Sequence, residues 1–334
     1  MEPTLEALVF NRTGIVNREA EGAEPLWYGH APLGNVRGAE SRTRQVATEA
    51  LRQIAQKVGD ISGMRIISAT TSSGIDVTER FYRREDGVSF EPTALRAQKA
   101  GDHVAQFAQR AIVSTACSSS ANSIMMGARE IAAGLRDEVI VGGVEGYNNY
   151  TIKGFRSLGI YSSNICRPFS ADRDGLNLGE GACYMVLSSS PEGALAKVSG
   201  WCNAVDGYHA TALSEEATGP RLAMAGALER AGLQPQDIDY VNCHGTATPN
   251  NDAVEQKALE SIFTERMPLY ASTKHLTGHT LGAAGAIEAA ISVMALQQQR
   301  AFGCKGATKA EIKNVLTNSF GFGGNCTALI ISKV

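Results

Sequence analysis

Four short runs hold the side chains best suited to chemistry. Cys117 stands in "STACSSSANSIMMGAREIAAG", residues 114–134, where a strand reads into a helix. A free thiol ionises near ~8.5, so little thiolate exists at neutral pH. The unpaired N–H groups and positive end of a helix favour the thiolate, so this placement predicts a nucleophile. Small neighbours, Ala116, Ser118 and Ser119, leave room for a substrate. A buried structural cysteine is the competing reading of Cys117 taken alone. His244 lies in "CHGTATPNND", just past an apolar strand, with Gly245 and Thr246 forming the exit turn. By itself it reads more readily as a hydrogen-bonded turn residue than as a functional group. Cys243 beside it does not make a zinc site, because adjacent residues rarely face one ion and no second pair occurs.

The third run is "KHLTGHTLGAAGAIEAA", residues 274–290. His279 precedes a Gly/Ala-rich helix start, and Lys274 and Glu288 are spaced to pair across the turn. A buried Lys–Glu pair costs desolvation, so its presence points to an electrostatic task. His275 reads as structural. The fourth run, "NSFGFGGNC", is a bendable turn whose backbone N–H groups could face a substrate oxygen, and Cys326 opens an apolar strand that reads as core. One thiol and two imidazoles at strand ends in distant parts of the chain suit thioester chemistry better than hydrolysis by a single triad.

These groups must be positioned by the elements around them. Ala47, Ala50, Ile54 and Val58 recur at helical spacing after Ser41, a suitable N-cap. "RIISATT", "AIVST" and "EVIVGGVE" read as strands, and Ile124, Ala128, Ile131 and Leu135 mark a helix ending near Gly134. "ALVF" is a short apolar run near the start. The second half repeats the alternation, with strands at "AKVSGW", "DYVNC", "PLYAST", "NVLTNSF" and "CTALIIS". Pro220 is expected at a first helical position, with Gly232 closing that helix. Asp252 to Glu255 has capping-box spacing before a helix carrying Val254, Ala258 and Ile262. Ile287, Ile291 and Met294 mark a long helix. Two α/β halves are expected, 1–190 and 191–334, with mostly buried sheets. Residues 146–181 show little periodicity and are expected to form a long functional loop.

Composition narrows the classes. The 334 residues are 43% hydrophobic and 19% charged, with a net charge of −3. That balance gives no global pull towards nucleic acid or an acidic membrane. No apolar run reaches the length of a membrane span. The start, "MEPTLEALVFNRTG", lacks a basic n-region and a long apolar core, and the seven cysteines show no CxxC spacing. A reducing, cytoplasmic location is therefore expected.

The motifs "TACSSS", "RPFSADRDGLNLGEGA", "HGTATPNND", "KHLTGHTLGAAG" and "NSFGFGG" resemble those of the β-ketoacyl-[acyl-carrier-protein] synthases, over a span from about Ile66 to the C-terminus. The resemblance implies an α/β thiolase-like fold: two similar halves in a layered αβαβα arrangement, usually dimeric. It implies that Cys117 receives an acyl chain and that His244 and His279 promote decarboxylation of a malonyl thioester on its carrier protein. Lys274 and Glu288 would be the supporting charge pair. Thr246, Thr248 and Phe322 would line the substrate path, and the Phe320 N–H would join that of Cys117 in an oxyanion hole. No tightly bound cofactor is implied, since phosphopantetheine arrives on the acyl carrier protein. Lys274 is expected to keep both histidines neutral, because a nearby cation disfavours a second one.

The sequence also departs from that pattern. The first strand and loop are reduced to "ALVFNRTGIVN", the stretch before "NSFGFGG" is short, and Cys243 replaces a small residue. "NNDAVE" and "GFRSLGI" resemble synthases of aryl polyene or flexirubin pigment pathways. Two competing functions are a thiolase-type acyltransferase and a chain-length partner subunit in a heterodimer. A thiolase needs a second cysteine in a Cys-Gly setting, which Cys326 matches poorly, and a chain-length partner usually lacks the nucleophile. Expected partners are the acidic acyl carrier protein and a second synthase subunit, identical or related. Arg80, Arg83 and Arg84 in "ERFYRRE", with Lys153 and Arg156, are the candidate basic rim.

Overall fold

The computed structural model describes residues 2–18, 26–36, 40–99 and 101–334. In the first half, helix α1 (Glu2–Val9) precedes strands β1 (Ile15–Arg18) and β2 (Leu26–Gly29), helix α2 (Arg42–Val58) and strand β3 (Arg65–Ala69). Helices α3 (Ile75–Tyr82) and α4 (Thr93–Gln98) lead to β4 (Gln109–Val113), α5 (Ser119–Ala132), β5 (Glu138–Glu145), α6 (Asn149–Ser157) and β6 (Gly181–Ser188). The second half begins with β7 (Lys197–Val205), α7 (Thr218–Ala231), β8 (Tyr240–Asn242) and α8 (Pro249–Ile262). It continues with β9 (Leu269–Ala271), α9 (Lys274–Thr277), α10 (Ala284–Gln298), β10 (Arg300–Gly303), β11 (Gly306–Lys309), β12 (Asn314–Gly321) and β13 (Asn325–Ser332).

Two sheets dominate, ordered β4-β3-β5-β6 and β9-β8-β12-β13-β7. Their pairings correspond: β3 runs parallel to β4 and β5, and β8 runs parallel to β9 and β12. Each then closes with an antiparallel partner, β6 on β5 and β13 on β12. The second sheet adds β7 beyond β13, whereas β6 is the edge of its sheet among the described residues. Helices α5 and α10 pack on each other between the sheets. α2 covers the first sheet from outside, and α7 covers β7 and β13. This is the layered αβαβα thiolase-like arrangement. The layers are apolar because β5 and β12 are buried on both faces, as strands between two helix layers must be.

Local signals read as expected in several places. The Ser41 side chain accepts the Arg44 N–H and starts α2. Gly232 ends α7 with φ 67°. Other expectations need correction. "ALVF" lies at the end of α1 and its turn rather than in a reduced first strand. Pro220 is the third residue of α7. α8 starts at Pro249, so Asp252 and Glu255 lie inside it and are not its capping box. Residues 146–181 contain α6, capped by Asn148 through its bond from the Thr151 N–H. Periodicity does not reveal this helix because only Ile152 is fully buried on it. Among the described residues, no helix is long and apolar enough to cross a membrane.

Candidate active site

The chemistry-bearing residues follow the C-terminal ends of parallel strands. Cys117 follows β4, His244 follows β8, and Lys274 and His279 follow β9. β4 and β9 hold equivalent places in the two sheets, so the Cys117 turn and the turn that carries Lys274 and His279 follow equivalent strands of the repeat. Strand ends in such sheets leave a crevice that loops can fill with functional groups. Three of these turns hold a non-glycine residue in the left-handed region: Ala116 (φ 52°), Ala247 (φ 66°) and Leu281 (φ 47°). Each costs about 1 to 2 kcal/mol of backbone strain, which surrounding packing must hold in place.

At the first turn, Ala116 bends the chain so that Cys117 sits just before α5. The Phe322 backbone N–H faces the Cys117 sulfur and pulls its pKa down. This requires glycine at 321, where a Cβ would lie 2.8 Å from the Thr115 carbonyl oxygen and 3.2 Å from the Cys117 nitrogen. The oxyanion N–H is expected from Phe320, but the backbone N–H that faces the sulfur is that of Phe322. Phe320 belongs to β12, where it pairs with Cys326 on the neighbouring strand, and its ring lies 5.7 Å from the His244 ring. Phe322 lies past the strand end, where its N–H is free to face the sulfur, and its ring stacks on Phe155 of α6 at 5.5 Å. Beside Cys117, Asn122, Asn203 and Asn325 form a partly buried network, in which the Ser118 hydroxyl donates to Asn325 Oδ1 at 2.6 Å and Asn203 Nδ2 donates to the same atom at 2.8 Å.

The rings of His244 and His279 meet edge to face, with centroids 5.2 Å apart. His279 is 1% exposed, and neither of its ring nitrogens has a hydrogen-bond partner among the described residues. Lys274 and Glu288 form a buried ion pair, which places both as the spacing suggested. Lys274 Nζ also donates to the His244 carbonyl oxygen at 2.6 Å and stands 3.5 Å from His244 Nδ1. An ammonium has no lone pair to offer, so Nδ1 must be the bare nitrogen. The His244 proton is thereby assigned to Nε2, the atom turned from the lysine.

Burial sets the protonation states. It holds both imidazoles well below the usual histidine range, and the Lys274 charge adds to the effect. The lysine therefore supports neutral histidines but is the smaller cause. Burial also pushes the Cys117 thiol up to about 12, against the pull of Lys274 and the Phe322 N–H. This reverses the expectation of a thiolate at neutral pH, because removing the sulfur from water outweighs the helix end. Alkylation of Cys117 by iodoacetamide should therefore climb about tenfold per pH unit from 7 to 9, as the thiolate fraction does. A plateau near pH 7 would contradict this protonation state.

Two acidic groups, expected from the sequence only as a capping box, take part in the site's hydrogen bonding. Glu255 accepts the His244 and Gly245 N–H groups at 2.9 and 2.8 Å and an Asn318 amide at 3.0 Å, and burial raises its carboxyl to about 7. Asp252 accepts the Ala247 and Phe169 N–H groups, tying residues 164–180 to the histidine turn. Both clamp the loop that carries His244. The available signal was a carboxylate at position 255 on the same helix face as Ala258 and Leu259, where burial is expected. Thr246 and Thr248 sit on that loop with their hydroxyls 2.9 Å apart. Cys243 and Cys326 belong to a separate core cluster with Val241 and Phe320. His275 is held by Asn11 at 2.7 Å, consistent with a structural role.

The basic rim divides. Arg80 is turned inward to Asp76, at 3.5 Å, and to the Glu40 carbonyl, so it does not belong to an exposed patch. Arg83, Arg84 and Lys153 are exposed. Arg156 is half-buried over the Tyr161 ring. Glu79 of α3 accepts the Asn149 and Tyr150 N–H groups at the start of α6, joining these two surface helices.

Comparison with known proteins identifies the family. Residues 107–192 match the beta-ketoacyl synthase N-terminal domain and residues 195–303 match its C-terminal domain. The chain belongs to the β-ketoacyl synthase family. It is 34% identical over 255 residues to the mitochondrial 3-oxoacyl-[acyl-carrier-protein] synthase of Arabidopsis thaliana, covering 66% of this chain and 55% of that protein. It is 34% identical over 249 residues to 3-oxoacyl-[acyl-carrier-protein] synthase 2 of Staphylococcus aureus (strain COL), covering 66% of this chain and 60% of that one. The matches thus span less than two thirds of these relatives. Among solved structures, a chain of the ketosynthase (ApeO) in complex with its chain length factor (ApeC) from Xenorhabdus doucetiae aligns with a TM-score of 0.86 and 29% identity, over 100% of this chain and 94% of that one. A beta-ketoacyl synthase from Burkholderia phymatum STM815 aligns at 0.82 and 28%, over 98% and 94%.

Proposed function

We propose that this chain is a condensing enzyme that joins an acyl group held on Cys117 to a malonyl unit with loss of CO2. The observation that carries the reading is the pairing of neutral His244 and His279, in ring contact and buried, with a thiol facing a backbone N–H. In the first stage the thiol sulfur attacks the acyl carbonyl, the C–S bond to the carrier thiol breaks, and the carrier thiol takes the proton. The Phe322 and Cys117 N–H groups face the developing oxyanion. In the second stage the malonyl thioester oxygen accepts imidazole N–H bonds from His244 Nε2 and His279. The carboxylate leaves as CO2, and its bonding electrons form the enolate, so no base has to remove a C–H proton. The enolate carbon attacks the acyl carbon, and the Cys117 sulfur departs and regains a proton. Fixed donors in a dry site are worth about 3 to 4 kcal/mol each to such an oxyanion.

Labelled acyl thioester tests this directly: a covalent adduct is expected on the protein and absent from Cys117→Ala. No adduct on the unaltered protein would favour the chain-length partner reading. That second reading draws support from the likeness to a chain of a ketosynthase–chain length factor complex, and the retained Cys117 weighs against it. The same likeness, with "GFRSLGI" and "NNDAVE", supports a place among aryl polyene-type synthases acting with a related subunit. Phosphopantetheine delivered by an acyl carrier protein would pass Thr246 and Thr248. Arg83 and Arg84 would meet the acidic carrier. Reversing both charges should slow carrier-bound substrates about tenfold at low salt and spare small thioesters. Equal rates for both substrate types would dismiss this docking site.

A further inference from the structure

The β1–β2 hairpin lies outside both segments matched by the family domains, which begin at residue 107. It is nevertheless stitched to the catalytic turns. The Gly29 N–H donates to the Leu178 carbonyl at 3.0 Å, and the Glu180 N–H donates to the Gly29 carbonyl at 2.9 Å. The Gly14 N–H donates to the Leu276 carbonyl at 2.8 Å, and the Tyr161 hydroxyl donates to the Trp27 carbonyl at 2.8 Å. Leu178 in turn bridges to His279. A Cβ at Gly29 would lie 2.3 Å from the Thr277 carbonyl oxygen, so the hairpin docks by backbone contact.

Alternation along β2 then sends its side chains two ways. Leu26 and Tyr28 enter the apolar cluster that contains Cys117, together with Ile152, Leu176, Leu178 and Leu281. Trp27, with Ile15 on the paired strand, packs with Ala247 of the histidine turn. An acyl chain bonded to the Cys117 sulfur needs apolar surroundings, and Cys117 is only 5% exposed among these side chains. Leu178 and Leu281 are tied to the backbone around His279, so changing their size would disturb the histidine. Leu26 and Tyr28 reach the same cluster from an element that supplies no reacting group. Their volume can change the room beside the sulfur without re-aiming an imidazole.

We propose that the β1–β2 hairpin is the acyl-selectivity element of this synthase, with Leu26 and Tyr28 limiting the size of acyl chain that Cys117 accepts. The inference rests on the condensing reading above. The experiment compares rates of Cys117 acylation by a four-carbon and a twelve-carbon acyl pantetheine thioester, followed by intact-protein mass spectrometry. Leu26→Ala and Tyr28→Leu are each expected to raise the long-to-short ratio about tenfold, the scale on which apolar pockets sort chains. A ratio does not depend on how much of the protein is folded, so partial unfolding does not mimic the result. Leu26→Val, one methylene smaller, should move the ratio in the same direction by a lesser factor. Tyr28→Phe keeps the ring and should keep the ratio. An unchanged ratio in Leu26→Ala and Tyr28→Leu, or an equal shift in Tyr28→Phe, overturns the proposal. Failure of the unaltered protein to acylate with either donor would instead remove the condensing reading on which it stands.

Discussion

Replacing His279 by alanine should cut malonyl decarboxylation by about 10²- to 10³-fold, the loss seen when one fixed oxyanion donor is removed. Acylation of Cys117 should persist, because the N–H facing its sulfur comes from Phe322. His279 has both ring nitrogens buried and unpartnered among the described residues, so none of these competes with a substrate oxygen for its N–H. His244→Ala should act similarly, and the double variant should lose less than the product of the two, since both donors meet one oxygen. CO2 release from malonyl thioester and the mass of the acylated protein would be followed side by side. Equal losses in both assays would show that the imidazoles serve the whole site rather than the enolate. The pH profile carries the same logic with a definite sign. Burial holds both histidines well below the usual range of about 6.5, so they remain neutral donors in mild acid. The acid limb of decarboxylation due to these rings should therefore lie below pH 6.5, provided the protein stays folded.

Lys274→Met should be the most damaging change to stability, at about 3 to 5 kcal/mol. It removes the partner of Glu288 inside the protein, along with the bond to the His244 carbonyl. A buried carboxylate without its cation must be protonated or rehydrated, and either costs folding free energy. Burial already raises Glu288 to about 7, so protonation is the easier response. Adding Glu288→Gln should recover part of the lost stability, because a neutral amide no longer needs the ammonium. Chemical denaturation of the single and double variants would measure this, and a double variant less stable than Lys274→Met would contradict the pairing. In folded protein, the single variant should lose more decarboxylation than acyl transfer. Lys274 keeps the His244 proton on Nε2 and adds to the pressure towards neutrality. Comparable losses in the two half-reactions would assign the lysine to architecture alone.

Much of this protein is legible in local residue order. The strand before Cys117, the helix after it, and the strands "EVIVGGVE" and "CTALIIS" carry patterns that one element satisfies by itself. The five motifs place the chain in its family for a related reason: each turn needs particular small or reactive residues at adjacent positions. α6 is less legible because it is short, buries only Ile152 fully, and has its cap in a polar run. Arg80 looks like its neighbours in sequence, yet it folds back onto Asp76.

Other features depend on what surrounds a group after folding. Local order marks Cys117 as the candidate nucleophile, but only packing decides that its thiol is neutral, because desolvation depends on neighbours far along the chain. The choice of Phe322 over Phe320 is of the same kind, since it turns on where β12 ends against the Cys117 turn. Residue types and spacing by themselves marked the candidate reactive set, the alternation of strands and helices, and the Lys274–Glu288 pair. Tertiary structure alone decided the protonation states, the clamp by Asp252 and Glu255, and the meeting of Leu26 and Tyr28 with Cys117 in one apolar cluster. Charge and hydrogen bonding act through space, and a sequence records only the order in which the groups are joined.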